Sequence, residues 1–169
     1  MDQLAKLSSS ADYTSARYQD LVLQIWHRDT TLDGVAALRA AIDQVARESP
    51  NGLRLLVVVE AGASMPPAES RAGIAAFMRD YARNIRATSL AFEGTGFRAA
   101  SVRAVVTGLN VLANHPFPYK VFATIGEALW WPPMASRGPG TPPALLAELV
   151  ERFRAAQKHS CLEQRHGSE

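Results

Sequence analysis

The seven residues LRLLVVV, Leu53–Val59, constrain this chain more than any other stretch. Apart from Arg54 the run is leucine and valine without alternation, the pattern of a strand covered on both faces. Such a strand belongs at the centre of a sheet, and the flanking sequence supplies elements to surround it. Upstream, DLVLQIWH (Asp20–His27) sets Leu21, Leu23 and Ile25 against Val22, Gln24 and Trp26, the period of a strand with two unlike faces. DYTSARY before it pairs with it as an edge hairpin. Thr30, followed three residues later by Asp33, opens a helix carrying Val35, Leu38, Ile42 and Val45, and SPNG (Ser49–Gly52) stops it.

Downstream, Pro66 and Pro67 suit a first helical turn, and Ile74, Phe77, Tyr81 and Ile85 continue at helical spacing. Thr88–Phe92 reads as the next strand. Val102, Val105, Val106, Leu109 and Leu112 mark a third helix that stops near Asn114 and Pro116, and YKVFAT follows as a last strand. Thr124 and Glu127 form a capping-box start for the short helix IGEALWW. Strands first, then strict alternation, predict an α/β fold: a mixed sheet of four or five strands with helices mainly on one face, over residues 1–131.

Residues 132–143 combine proline, glycine and small residues and read as a linker that neither continues a helix nor joins a sheet. Residues 144–169 then predict an amphipathic helix and a frayed tail, with Leu145, Leu146, Leu149, Val150 and Phe153 on one side and Glu148 and Arg152 on the other. An isolated helix this short is marginal in water, so Leu146, Leu149, Val150 and Phe153 are expected to dock on the domain or on a second copy of it. The sequence leaves both open.

Composition excludes several classes. With 47% hydrophobic and 20% charged residues, the 169-residue chain is neither disordered nor membrane-embedded, and it has the length of one domain. A formal net charge of +2, with arginines spread among acids, gives no basic patch for nucleic acid. No window reaches a membrane-spanning apolar length and the N-terminus lacks the apolar core of a secretory signal, so a cytoplasmic location and no membrane partner are expected. Cys161 is the only cysteine, which excludes an intrachain disulfide and a cysteine-based structural zinc site.

EGTGFRAASVR (Glu93–Arg103) fits G-x-G-x-x-A through Gly94, Gly96 and Ala99. A dinucleotide fingerprint belongs in the first βα turn and needs an acid about 20 positions on; this turn is a late one, and Tyr119–Thr124 holds no Asp or Glu. The glycines are read as a chain reversal, with an anion held at Gly94, Gly96, Arg98 and Arg103 as the alternative use. His27 and His115 have no nucleophile in an elbow-like context and read as structural or solvent-facing, and His159, Cys161 and His166 lack a metal spacing. Glu60, Glu69 and Glu93 stand at or near strand ends without a fixed partner. The Trp130–Trp131 pair reads as a lid on the core.

The order of elements, ending in GFRAASVRAVVTGLNVLANHPFPYKVFATIGEAL, resembles the STAS fold of bacterial anti-sigma-factor antagonists and sulphate-transporter tails, over roughly residues 12 to 131. Gly108–Leu109, the strand VFAT, and Glu127–Ala128 at the last helix carry the resemblance most directly. In such antagonists a serine at the start of the second helix, within a run like Asp-Ser-Ser-Gly-Leu-Gly, is phosphorylated by a partner kinase. The matching run here is Ala68-Glu69-Ser70-Arg71-Ala72-Gly73, and the resemblance implies Ser70 as the phosphoacceptor. It further implies a noncatalytic interaction or regulatory module, with a surface at Ser64, Glu69, Ser70, Arg71 and Ile74. The partner would be a protein: a kinase, a regulator, or a second copy of the chain. No cofactor, metal or catalytic residue is expected.

Overall fold

The computed structural model describes residues 3–96, 100–102, 104–106, 108, 114, 116–136 and 140–166, with side chains in the last helix described as far as Lys158. Its centre is one six-stranded sheet in sequential order, β1 (Ala5–Ser9), β2 (Tyr13–Tyr18), β3 (Leu21–Trp26), β4 (Leu53–Val59), β5 (Ile85–Phe92) and β6 (Tyr119–Phe122). β2 runs antiparallel to both β1 and β3, and β3 through β6 are parallel. The LRLLVVV strand lies between β3 and β5, as its composition demands.

The strand count exceeds the expected four or five because the polar segment AKLSS adds an edge strand with no periodic signal of its own. One boundary also moves. Helix α2 (Ala68–Asp80) ends before Ile85, which opens β5 instead of closing the helix. The backbone N–H groups of Asn84 and Ile85 both bond the Tyr81 carbonyl, a turn that ends the helix and starts the strand.

Each connection between parallel strands carries a helix. Helix α1 (Leu32–Glu48) starts at Thr31, one residue later than the sequence implied, and the Thr31 hydroxyl accepts from the Gly34 N–H at 3.1 Å. α1, α2 and the helical residues around Val102 and Val106 pack together on a first face of the sheet, against Val22, Leu55, Val57 and Leu90. Repeated crossovers of one hand in a sequentially ordered sheet put their helices on one side.

The second face is covered by the C-terminal quarter of the chain. Helix α3 (Ile125–Trp130), which begins with the Thr124–Glu127 capping box, the 3₁₀ turn Pro132–Met134 and helix α4 (Pro143–His166) pack over Leu21, Leu23, Ile25, Leu56 and Val58. The linker expectation gives way here. Met134 is 1% exposed, because the prolines that bar a regular helix instead fold a tight turn that presses Met134 into the core. Leu146, Leu149 and Val150 are buried and Phe153 packs partly buried beside them, all in cis. Leu145 is 41% exposed: one residue before Leu146 on a helix, it points about 100° away from that stripe.

Candidate functional site

Open α/β sheets present ligand sites outside the carboxyl ends of their parallel strands. In this chain three adjacent parallel strands each end in an ionisable side chain on the second face: His27 follows β3, Glu60 follows β4 and Glu93 follows β5. The period of two explains the shared side, since the residues before them, Trp26, Val59 and Phe92, pack on the first face. The chain's own last helix fills the position. Arg154 of α4 donates to both oxygens of Glu93, at 2.6 and 2.8 Å, and to Glu60 Oε1 at 2.9 Å, while Glu151 adds a further contact at 3.2 Å.

The Glu60 carboxylate is held ionised. Glu60 is drawn down to about 2, first by its hydrogen bond from His27 and then by Arg154, against the opposing effect of burial. Burial opposes the charge on Arg154 as well, but the hydrogen bonds to Glu93 and Glu60 outweigh it and hold the guanidinium protonated more firmly than usual.

His27 extends the network toward β2. Its Nδ1 lies 3.0 Å from Glu60 Oε2 and its Nε2 2.9 Å from Thr14 Oγ1. An ionised carboxylate only accepts, so Nδ1 carries the proton. A hydroxyl, an imidazole and a carboxylate in line are the parts of a nucleophile relay. Thr14, however, is 2% exposed and pairs with Ile25 within the sheet, so its hydroxyl is not presented to a substrate. What this arrangement does is tie β2, β3, β4 and β5 to α4.

A second ionic group stands at the opposite end of the strands. Arg54 is 1% exposed; its guanidinium is bonded to Asp20, and its Nη1 donates to the Met134 carbonyl at 2.8 Å. Arg86 donates to the carbonyls of Pro133 and Ala135 at 3.2 and 3.1 Å and to Asp20 at 3.4 Å. Tyr18 and Thr141 join hydroxyls at 2.7 Å. The C-terminal segment is thus held at both ends of the sheet. Sequence reasoning placed none of these contacts, although two signals were there: Arg54 interrupts the apolar run, and Arg154, four residues after Val150, continues the apolar side of its helix.

The surface implied around Ser70 lies beyond β4 on the first-face side. Ser64 and Glu69 are exposed and Arg71 and Ile74 half-buried, with Arg71 donating to the Pro66 carbonyl at 2.8 Å. Ser70 itself is 1% exposed, in the first turn of α2. It borders a groove shared with Asp29, Leu32, Asp33, Pro67 and Glu69. A kinase reaches that hydroxyl only if the turn opens, and a phosphate there meets three carboxylates.

The glycines of the EGTGF turn have separate reasons. A Cβ on Gly94 would lie 2.2 Å from the Phe92 ring, and Gly96 has φ +62°, where side chains are strained. Arg98, Arg103, Ala99 and His115 lie outside the described residues, as do the side chains of His159, Cys161 and His166. Trp130 is 64% exposed, contrary to the lid expectation: Ala128 and Leu129 fill the inner side of the six-residue helix and its last residue faces out. Trp131 packs against Phe122 with ring centroids 5.8 Å apart. No family model matches the chain, and no curated protein matches it in sequence. No described helix is long and apolar enough to cross a membrane.

Proposed function

We propose that the domain is a noncatalytic, STAS-like interaction module whose partner docks at the groove between the start of α1 and the start of α2. The observation that carries this reading is the pair of exposed apolar side chains at that edge, Leu32 at 49% and Met65 at 40% exposure. Leu32 borders the groove together with Asp29, Asp33 and Glu69, and Met65 stands two residues before Pro67, which also lines it. An apolar anchor rimmed by three acids suits a partner segment with an apolar side chain flanked by lysine or arginine, because complementary charge steers the encounter and a desolvated anchor holds it. At the opposite end of the strands, Arg54 and Arg86 are engaged with Asp20 and backbone carbonyls.

The test compares capture from the native cells by the wild-type chain, the pair Leu32→Ser with Met65→Ser, and the pair Asp33→Lys with Glu69→Lys. A protein retained by wild type and lost by both double variants supports the reading. Equal capture by all three, or none by wild type, contradicts it.

A further inference from the structure

We infer that the first face of the sheet carries a binding site for a neutral, single-chain apolar molecule with one hydrogen-bonding group. Between the sheet and α2 the packing leaves a cavity of about 90 Å³, walled by side chains that include Trp26, Val57, Phe77, Met78, Leu90 and Val106. Interiors of folded proteins are close-packed, so an apolar pocket that reaches from the surface into the core is itself informative.

Its inner end is not wholly apolar. Thr88 and Tyr119 are direct partners across β5 and β6, and both line the cavity. Thr88 is 1% exposed and its Oγ1 has no hydrogen-bond partner among the described residues. A buried hydroxyl without a partner is unfavourable and rare, and a ligand atom that bonds it removes the defect. The outer end is marked by Ser64 and Met65, which line the same cavity and are exposed to solvent.

The strand register sets the dimensions. Thr88 pairs with Leu55 and Phe92 with Val59, so the lining runs along five residues of each strand, four intervals and a length of about 13 Å at the usual rise. A volume of 90 Å³ spread over that length is narrow, and it is smaller in total than the ~150 Å³ of an apolar cavity that accepts benzene. An alkyl chain fits this shape and a ring does not. Met65 and Met78, unbranched and adaptable, let the wall follow a longer chain. No charged side chain is present among the described lining residues, so the buried part of the ligand is uncharged: an alcohol, ketone or amide, not a carboxylate.

The experiment uses the full chain with 1-octanol as probe, beside octanoate and cyclohexanol, and reads both the melting temperature and the methyl NMR signals of Val57, Met78 and Leu90. 1-Octanol is expected to raise the melting temperature in a concentration-dependent way and to move those methyl signals, with the two comparison compounds at least about tenfold weaker. Val57→Phe, which fills the void, should abolish both responses. Thr88→Val, which keeps the shape and removes the hydroxyl, should weaken 1-octanol by roughly tenfold, the worth of one hydrogen bond. The inference is overturned if 1-octanol gives no response up to its solubility, if the shifted signals lie elsewhere, if octanoate binds equally well, or if Thr88→Val leaves the affinity unchanged.

Discussion

The two faces of the sheet are built on opposite plans. The first face is packed by helices that the alternating connections deliver automatically, and it retains a void with an unpartnered hydroxyl in its wall. The second is packed by a segment that has to return along the whole length of the sheet. It is held by Met134, Leu146 and Val150 in the core and by arginines at both ends of the strands. The difference teaches where each face gets its stability. On the first, local connectivity suffices; on the second, closing a long loop is opposed by chain entropy, and apolar burial with paired charges offsets it.

Breaking the second face should have the largest effects. Arg154→Ala leaves Glu60 and Glu93 facing each other without their shared cation and is expected to cost about 3–4 kcal/mol in urea unfolding, since removing one partner of a buried charge group strands the others. Leu146→Ala, at a site 2% exposed, should cost about 3 kcal/mol, whereas Leu90→Ala, at a site 6% exposed, should fall nearer to about 2. Equal losses from these two leucines would erase the contrast between the faces.

The acid limb of the stability curve reports the clamp independently. Glu60 titrates at about 2 in the folded protein, below its ordinary 4.5, so its contribution is complete above pH 4.5 and is lost as pH falls from there toward 2. Allowing for solvent screening it amounts to about 2 kcal/mol, and Glu60→Gln should flatten that part of the curve. On the first face the sign reverses. Thr88→Val removes a buried hydroxyl without a partner and should stabilise the protein by about 1 kcal/mol. Trp130→Ser, at an exposed position, should change stability by no more than about 0.5 kcal/mol.

The same division explains what could be read from the sequence. The α/β class and the parallel core strands were legible because Leu53–Val59, the α1 stripe and the Thr124–Glu127 cap are local patterns with one structural answer. The second face was only half legible. An apolar helix side predicts that something covers it, but whether Leu146 meets this sheet or another copy depends on the fold of Pro132–Met134, where prolines rule out regular structure without specifying the turn. β1 was missed because an exposed edge strand of polar residues carries no hydrophobic period. The clamp joins side chains distant in the chain: Glu60 and Glu93 were visible as acids at strand ends, but the cation uniting them lies 61 residues beyond Glu93.

The central claim is that α4 is a layer of the fold and not an appendage, and native-state amide hydrogen exchange tests it most directly. If α4 is part of the cooperative core, its amides between Leu146 and Arg154 exchange only through global unfolding, with the same opening free energy as those of β4. Exchange of the α4 amides by a separate low-energy opening, while β4 stays protected, would contradict the account.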